Sequence, residues 1–304
     1  MNNQANAMHE PFQGQIASAA TIPVSRAFYW AVRRELWENR SVYIAPLAVA
    51  AVVVLAFSVS ATLGIWNPRL RLDPSRPQMP FEMAAGVLML TIILISVFYC
   101  LDALHSERRD RSILFWKSLP VSDVMTVLAK ASIPLIVLPL LAFVITIAMQ
   151  WIMLMVSSAV LLVSGQSVAT LWKSLQLPNM WLLLLYHLLT GHAIWPFPIY
   201  CWLLLVSGWA RRATFLWAAL PVVAIAGVEG IVFRTSHFAE LIGRRLIGDA
   251  PAMHMAAHSM GLNPMTTHVT ADRFLMSPGL WIGFAIAAAF LVAAVRLRRY
   301  QGPI

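Results

Sequence analysis

ASIPLIVLPLLAFVITIAMQWIMLMVSSAVLLV, residues 131–163, contains no ionisable side chain. About 20 apolar residues are enough to cross the roughly 30 Å hydrocarbon core of a bilayer as a helix. This stretch is too long for one upright span, so it must tilt or extend beyond the membrane, and Pro134 and Pro139 are placed to bend it. It commits the chain to lipid as its main solvent, and the rest of the sequence agrees.

Of the 304 residues, 60% are hydrophobic and only 12% are charged, against about 25% charged in soluble domains. The mean hydropathy is +0.72. A formal net charge of +9 would suggest nucleic acid in a soluble protein. Here no base-reading module accompanies it, and cationic residues at the inner ends of membrane spans account for it. Cys100 and Cys201 both sit inside apolar runs, which suits packing as small hydrophobes rather than a disulfide framework or a metal site.

Five more stretches are long and apolar enough to span: roughly 43–65, 81–101, 180–207, 213–233 and 279–295. The fourth span in chain order, 180–207, is interrupted by Gly191, Pro196 and Pro198. The expected fold is therefore all-α, a polytopic membrane protein with six spans in one membrane domain over 21–304. Residues 1–20, MNNQANAMHEPFQGQIASAA, have no apolar core of a secretory signal and read as a flexible cytoplasmic tail.

Lys and Arg set the orientation. With the N-terminus inside, fourteen of the 22 Lys and Arg residues fall on the inner side and eight on the outer. Arg211-Arg212 form a tight inner turn, and Arg296, Arg298 and Arg299 close the last span. Arg69, Arg71 and Arg76 run against the bias. Both termini are expected inside.

Before the first span, IPVSRAFYWAVRRELWENR (22–40) repeats Phe28, Val32 and Leu36 at helical spacing. Trp30 and Trp37 flank a basic face of Arg26, Arg33 and Arg34. That pattern predicts an amphipathic helix lying in the inner interface. In the longest outer loop, 234–278, Phe238, Leu241, Ile242 and Leu246 share one helical face, predicting a short amphipathic helix at the outer leaflet.

The densest charge cluster lies in the inner segment 102–130, within SERRDRSILFWKSLPVSD (106–123). Its charges cannot enter lipid, since each costs about 2.5–3.5 kcal/mol at mid-membrane even on a lenient scale. Its apolar half, Ile113 to Trp116, is poorly suited to water. A short two-faced helix satisfies both: Ile113 and Trp116 rest on span ends, while Glu107, Arg108, Asp110 and Arg111 face a cytoplasmic partner. Pro120 stops the helix, and Ser122 with Asp123 caps the next one. A solvated loop is the plain alternative, but mixed charge, bulky apolar residues and a closing Leu-Pro describe a rigid knob that can receive a push.

Glu107, Arg108-Arg109, Arg111-Ser112, the apolar stretch and Leu119-Pro120 before Asp123 and Lys130 resemble the cytoplasmic loop after the second span in membrane subunits of ATP-binding cassette exporters of the second type. HAIWPFPIYCWLLLVSGWARRATFLW (192–217) is similar to the fourth-to-fifth span region of a bacterial branch of that family. The resemblance covers nearly the whole chain. Many relatives have Gly where Arg111 stands. The resemblance implies a permease subunit of an exporter in the bacterial inner membrane; the aromatic, apolar fourth and fifth spans favour an amphiphilic or hydrophobic substrate such as a lipid, peptide or drug-like molecule. It implies a coupling helix built from Glu107, Arg108, Arg109, Asp110, Arg111, Trp116, Leu119 and Pro120. The partners implied are two copies of a cytoplasmic ATPase, which would bind ATP and Mg, and a second membrane subunit, identical or homologous. The chain itself has no G-x-x-x-x-G-K-[ST] phosphate loop, so it is expected to be neither an enzyme nor a cofactor carrier.

Other candidate chemistry is sparse. Glu229 is the one acid well inside a span, which makes it a candidate proton carrier or cation contact; the alternative is a carboxylate near the outer end reaching for the interface. His187 and His192 in the fourth span can be imagined as haem ligands, making a membrane cofactor anchor or accessory subunit the alternative function. Five residues apart on a helix they point about 140° apart, so each needs a partner elsewhere. His254 and His258, at i, i+4 in the outer loop, have a metal-compatible spacing but no third ligand.

Overall fold

The computed structural model describes residues 23–66, 77–118, 122–247 and 276–300, without the side chains of Trp66, Trp116, Lys117, Ser118 and Ile247. Leu119, Pro120, His254 and His258 lie outside the described residues, as does the Trp116 side chain. Among the described residues the structure is helical, with no strand.

A short helix α1 (Val24–Glu38) precedes the first long one, α2 (Ser41–Trp66). The second long helix, α3 (Met79–Asp102), leads into two short ones, α4 (His105–Arg109) and α5 (Ser112–Ser118). The quoted apolar stretch belongs to α6 (Asp123–Val163), one helix of 41 residues, about 60 Å long at ~1.5 Å per residue. It continues through Pro134 and Pro139 as a single helix, with Lys130 about two turns from its start. Pro134 sits in a wide π-helical turn, Ile133–Val137, where the missing proline N–H is absorbed by the altered hydrogen-bond ladder. Ser122 caps the start as expected, its Oγ accepting from the Met125 amide at 3.2 Å.

Two helices, α7 (Val168–Leu175) and α8 (Leu177–His187), follow, and α8 continues as a π-helical segment Leu188–Ile194 around Gly191. The chain then bends by 42° into α9 (Phe197–Trp209), with Pro196 and Pro198 at the break. The last three helices are α10 (Thr214–Phe233), α11 (His237–Ile247) and α12 (Pro278–Tyr300). Five helices are each long and apolar enough to cross a membrane, and the bent pair makes a sixth if it counts as one span. The protein is membrane-embedded. The amphipathic helix expected in the outer loop is α11.

Among the described residues the bundle has two large apolar cores and a small third one of Leu104, Val127 and Ala294. One large core joins α3, α6 and α9 around Cys100, Leu138, Leu188 and Leu204, with Val32 and Leu36 of α1 against it. The other large core joins α2, α3 and α6 around Phe57, Phe81, Leu88, Met149 and Leu154. Both cysteines are free and buried. Gln150 bridges helices inside the second region: its Nε2 donates to the Phe81 carbonyl at 3.3 Å, and its Oε1 accepts from Trp181 Nε1 at 2.8 Å. Trp202 of α9 meets Phe290 of α12 with ring centroids 5.5 Å apart. By contrast α10 buries only Ala218 in its α-helical part, and its large apolar side chains Phe215, Leu216, Leu220 and Val223 are exposed on this chain.

Candidate functional site

The charged residues of α1, α4, α6 and α12 converge at one end of the bundle, where the last span finishes and α1 crosses the start of α6. Glu107 is at the centre and only 4% exposed. One of its oxygens accepts from Arg34 and lies 3.1 Å from Lys130 Nζ, and the other accepts from Arg298 of α12. Glu35, 1% exposed, accepts from Lys130 at 2.9 Å, from the Tyr99 hydroxyl at 3.1 Å and from Arg34 at 2.7 Å. Arg298 also donates to Asp123 at 3.1 Å. Three carboxylates thus face three cations. An unpaired buried charge would cost several kcal/mol, and this balance is what lets the cluster be buried. At its edge Arg34 approaches Glu38 at 3.4 Å; desolvation raises the Glu38 carboxyl above the ordinary carboxylate range, against the pull of Arg34.

The same short helix is bolted to the end of α9. Ser207 Oγ accepts from the Leu104 and His105 amides, both at 2.9 Å, serving two donors at the start of α4 that no helical carbonyl reaches. Arg108 donates to the Gly208 carbonyl at 2.6 Å, and His105 Nδ1 lies 3.2 Å from the Ala210 carbonyl. These carbonyls end α9, where cationic groups are favoured by the helix dipole. Glu107 and Arg108 therefore turn into the protein. The expectation that they face outward is corrected: a buried charge cannot be left unpaired, and their partners lie within the chain.

Arg109, Asp110 and Arg111 do face outward. The Arg109 and Asp110 side chains are 60% and 62% exposed and pair only with each other among the described residues. The expected single helix is in fact two, because Arg111 has φ 58°, in the left-handed region that favours glycine, and this turns the chain between α4 and α5. Beyond it Ile113 is buried, whereas Leu114 and Phe115 are exposed. The outward face thus carries charge followed by apolar surface.

The intramembrane candidates do not join this cluster. Glu229 begins a π-helical turn at the end of α10. Its carboxylate accepts from the Thr235 hydroxyl and from the His237 and Phe238 amides at 2.8–2.9 Å. It caps the N-terminus of α11, as a carboxylate near the span end would. His187 Nδ1 lies 2.9 Å from the Leu183 carbonyl. His192 has both ring nitrogens buried without a hydrogen-bond partner among the described residues, and its carbonyl accepts from the Tyr200 hydroxyl at 3.0 Å. Among the described residues no group of three or more His, Cys, Asp or Glu side chains is placed to hold a metal ion.

Sequence reasoning missed Glu35, Lys130 and Arg298 as members of one cluster, and it set Arg34 on one basic face of α1 with Arg26 and Arg33, whereas Arg34 turns toward Glu35 and Glu107. The available signal was Lys130, a lone cation at the entry to an apolar span, which requires a counter-ion. Comparisons with profiles of known protein families, with curated protein sequences and with solved structures found no match.

Proposed function

We propose that this chain is the membrane subunit of an ATP-driven exporter, operated by a separate cytoplasmic ATPase that docks on the segment around Arg109–Phe115. Both termini, and with them this segment, lie on the cytoplasmic side. One observation carries the reading. A single short segment exposes a charged and apolar face on one side, while on the other its Glu107 and Arg108 are tied to α1, α6, α9 and α12. Movement of such a segment cannot stay local, because its bonds reach helices from both ends of the sequence. Closure of an ATPase on ATP would push the exposed face, and the buried cluster would pass the displacement to α6, α9 and α12.

ATP and Mg belong to the partner in this reading, and this chain supplies no catalytic group. The substrate class is amphiphilic or hydrophobic, moved between this subunit and a second one, identical or homologous, in a bacterial inner membrane. Purification of the tagged full-length chain in mild detergent should retain a phosphate-loop ATPase, and the pair in vesicles should hydrolyse ATP and export an amphiphile. Export by the chain alone, with no nucleotide hydrolysed, would overturn the proposal.

A further inference from the structure

Helix α1 separates its arginines. Arg34 turns toward Glu35 and Glu107. On the neighbouring face, at 100° per residue, Arg26, Tyr29, Trp30, Arg33 and Trp37 fall within an arc of about 100°, with Arg33 itself about 100° from Arg34. That arc holds no acidic residue. Trp30 and Trp37 are 48% and 62% exposed. Between them lies the Arg33 guanidinium, its carbon 5.0 Å from the Trp30 ring centroid and 4.7 Å from that of Trp37. Among the described residues neither Arg26 nor Arg33 forms an ion pair, whereas Arg34, the next residue, approaches three carboxylates.

We propose that this face of α1 is a binding site for an anionic phospholipid headgroup, with Arg33 as the phosphate ligand. Stacking on the indoles fixes the plane of the guanidinium and leaves its N–H edge for two parallel bonds to phosphate oxygens. Exposed indoles are at home at headgroup depth. α2 starts at Ser41, three residues after α1 ends, and its apolar length must enter the bilayer, so α1 is held beside that surface. The charge of the face selects an anionic over a zwitterionic lipid. The site needs only the membrane location of α2 and stands apart from any ATPase.

The test uses the full-length chain in neutral detergent, titrated with phosphatidylglycerol or phosphatidylcholine of matched acyl chains and read by native mass spectrometry. Phosphatidylglycerol should be retained preferentially. Arg33→Gln and Arg26→Gln should each weaken retention about fivefold, the effect of one interfacial arginine, with the helical circular dichroism unchanged. Arg212→Gln, in the exposed turn between α9 and α10, should not. Equal retention of the two lipids, full retention by Arg33→Gln, an equal loss in Arg212→Gln, or displacement of the lipid by inorganic phosphate would each overturn the proposal. Absence of ATP-dependent transport by the unaltered chain, with selective phosphatidylglycerol retention intact, would count against the exporter reading alone.

Discussion

Lys130 Nζ of α6 donates to a Glu35 carboxylate oxygen of α1 at 2.9 Å, across a sequence separation of 95 residues, and the side chains are 2% and 1% exposed. The pair fastens the helix before the first span to the one that forms the third. Glu107 shares the same ammonium group, so the three residues behave as a unit.

That unit sets the first prediction. Lys130→Met leaves two buried carboxylates short of a cation and should destabilise the protein by about 3–5 kcal/mol, the usual cost of breaking a buried pair from one side. Glu35→Gln should cost a similar amount, because it leaves Lys130, Arg34 and Arg298 one buried counter-charge short. The double variant Glu35→Gln/Lys130→Met should lose clearly less than the sum, since contacting residues are not additive. Denaturant unfolding in detergent measures all three, and additive losses would show that the charges act independently.

The second prediction separates the two sides of the segment. Glu107→Gln weakens bonds to three helices and should lower the unfolding midpoint, whatever its effect on activity. Arg109→Glu changes an outward charge whose only partner among the described residues is Asp110, so its midpoint should equal that of the unaltered chain. On the exporter reading Arg109→Glu reduces ATPase retention and ATP-dependent transport. An unfolding midpoint lowered by Arg109→Glu would place that side chain in the folded-state network instead.

The six apolar stretches were legible because lipid imposes one rule on every residue of a span, and hydropathy reports that rule locally. The bend at Pro196, the cap at Ser122 and the amphipathic helix over 237–247 were legible for the same reason: each depends on neighbours in sequence. The charge cluster was not. Positions 35, 107, 130 and 298 carry no shared spacing, and which of them meet depends on how α1, α4, α6 and α12 pack. Nor does helical periodicity tell Arg33 from Arg34 until the position of α6 is known. The two lie 100° apart on α1, and only one of them faces Glu107.

The third prediction concerns Glu229. Its carboxylate accepts from the His237 and Phe238 amides and the Thr235 hydroxyl, so Glu229→Ala should uncap α11. Hydrogen exchange of residues 237–240 should quicken while the α9–α12 contact is unaffected. A capping role predicts that Glu229→Gln, which keeps an oxygen acceptor, loses less protection than Glu229→Ala. Equal effects of the two, together with loss of all transport, would favour a role for the charge itself in the substrate path.

The fourth prediction follows from how α11 is held. Arg245 stacks on Trp195 at 4.3 Å, and its guanidinium donates to the carbonyls of Trp195 at the bend and Gly279 at the start of α12. It rests on Gly283, where an added Cβ would stand 2.7 Å from a guanidinium nitrogen. Gly283 thus makes room for an arginine. Gly283→Ala should expel the guanidinium, which is the mobile end of a long side chain, so the helices need not part. Global stability should change little, while hydrogen exchange across 237–247 rises. Arg245→Ala should reproduce that pattern, and Gly283→Ala/Arg245→Ala should be no worse than either alone, because both remove the same contact. A large fall in the unfolding midpoint for Gly283→Ala with α11 still protected would mean that the glycine instead serves close packing between helices.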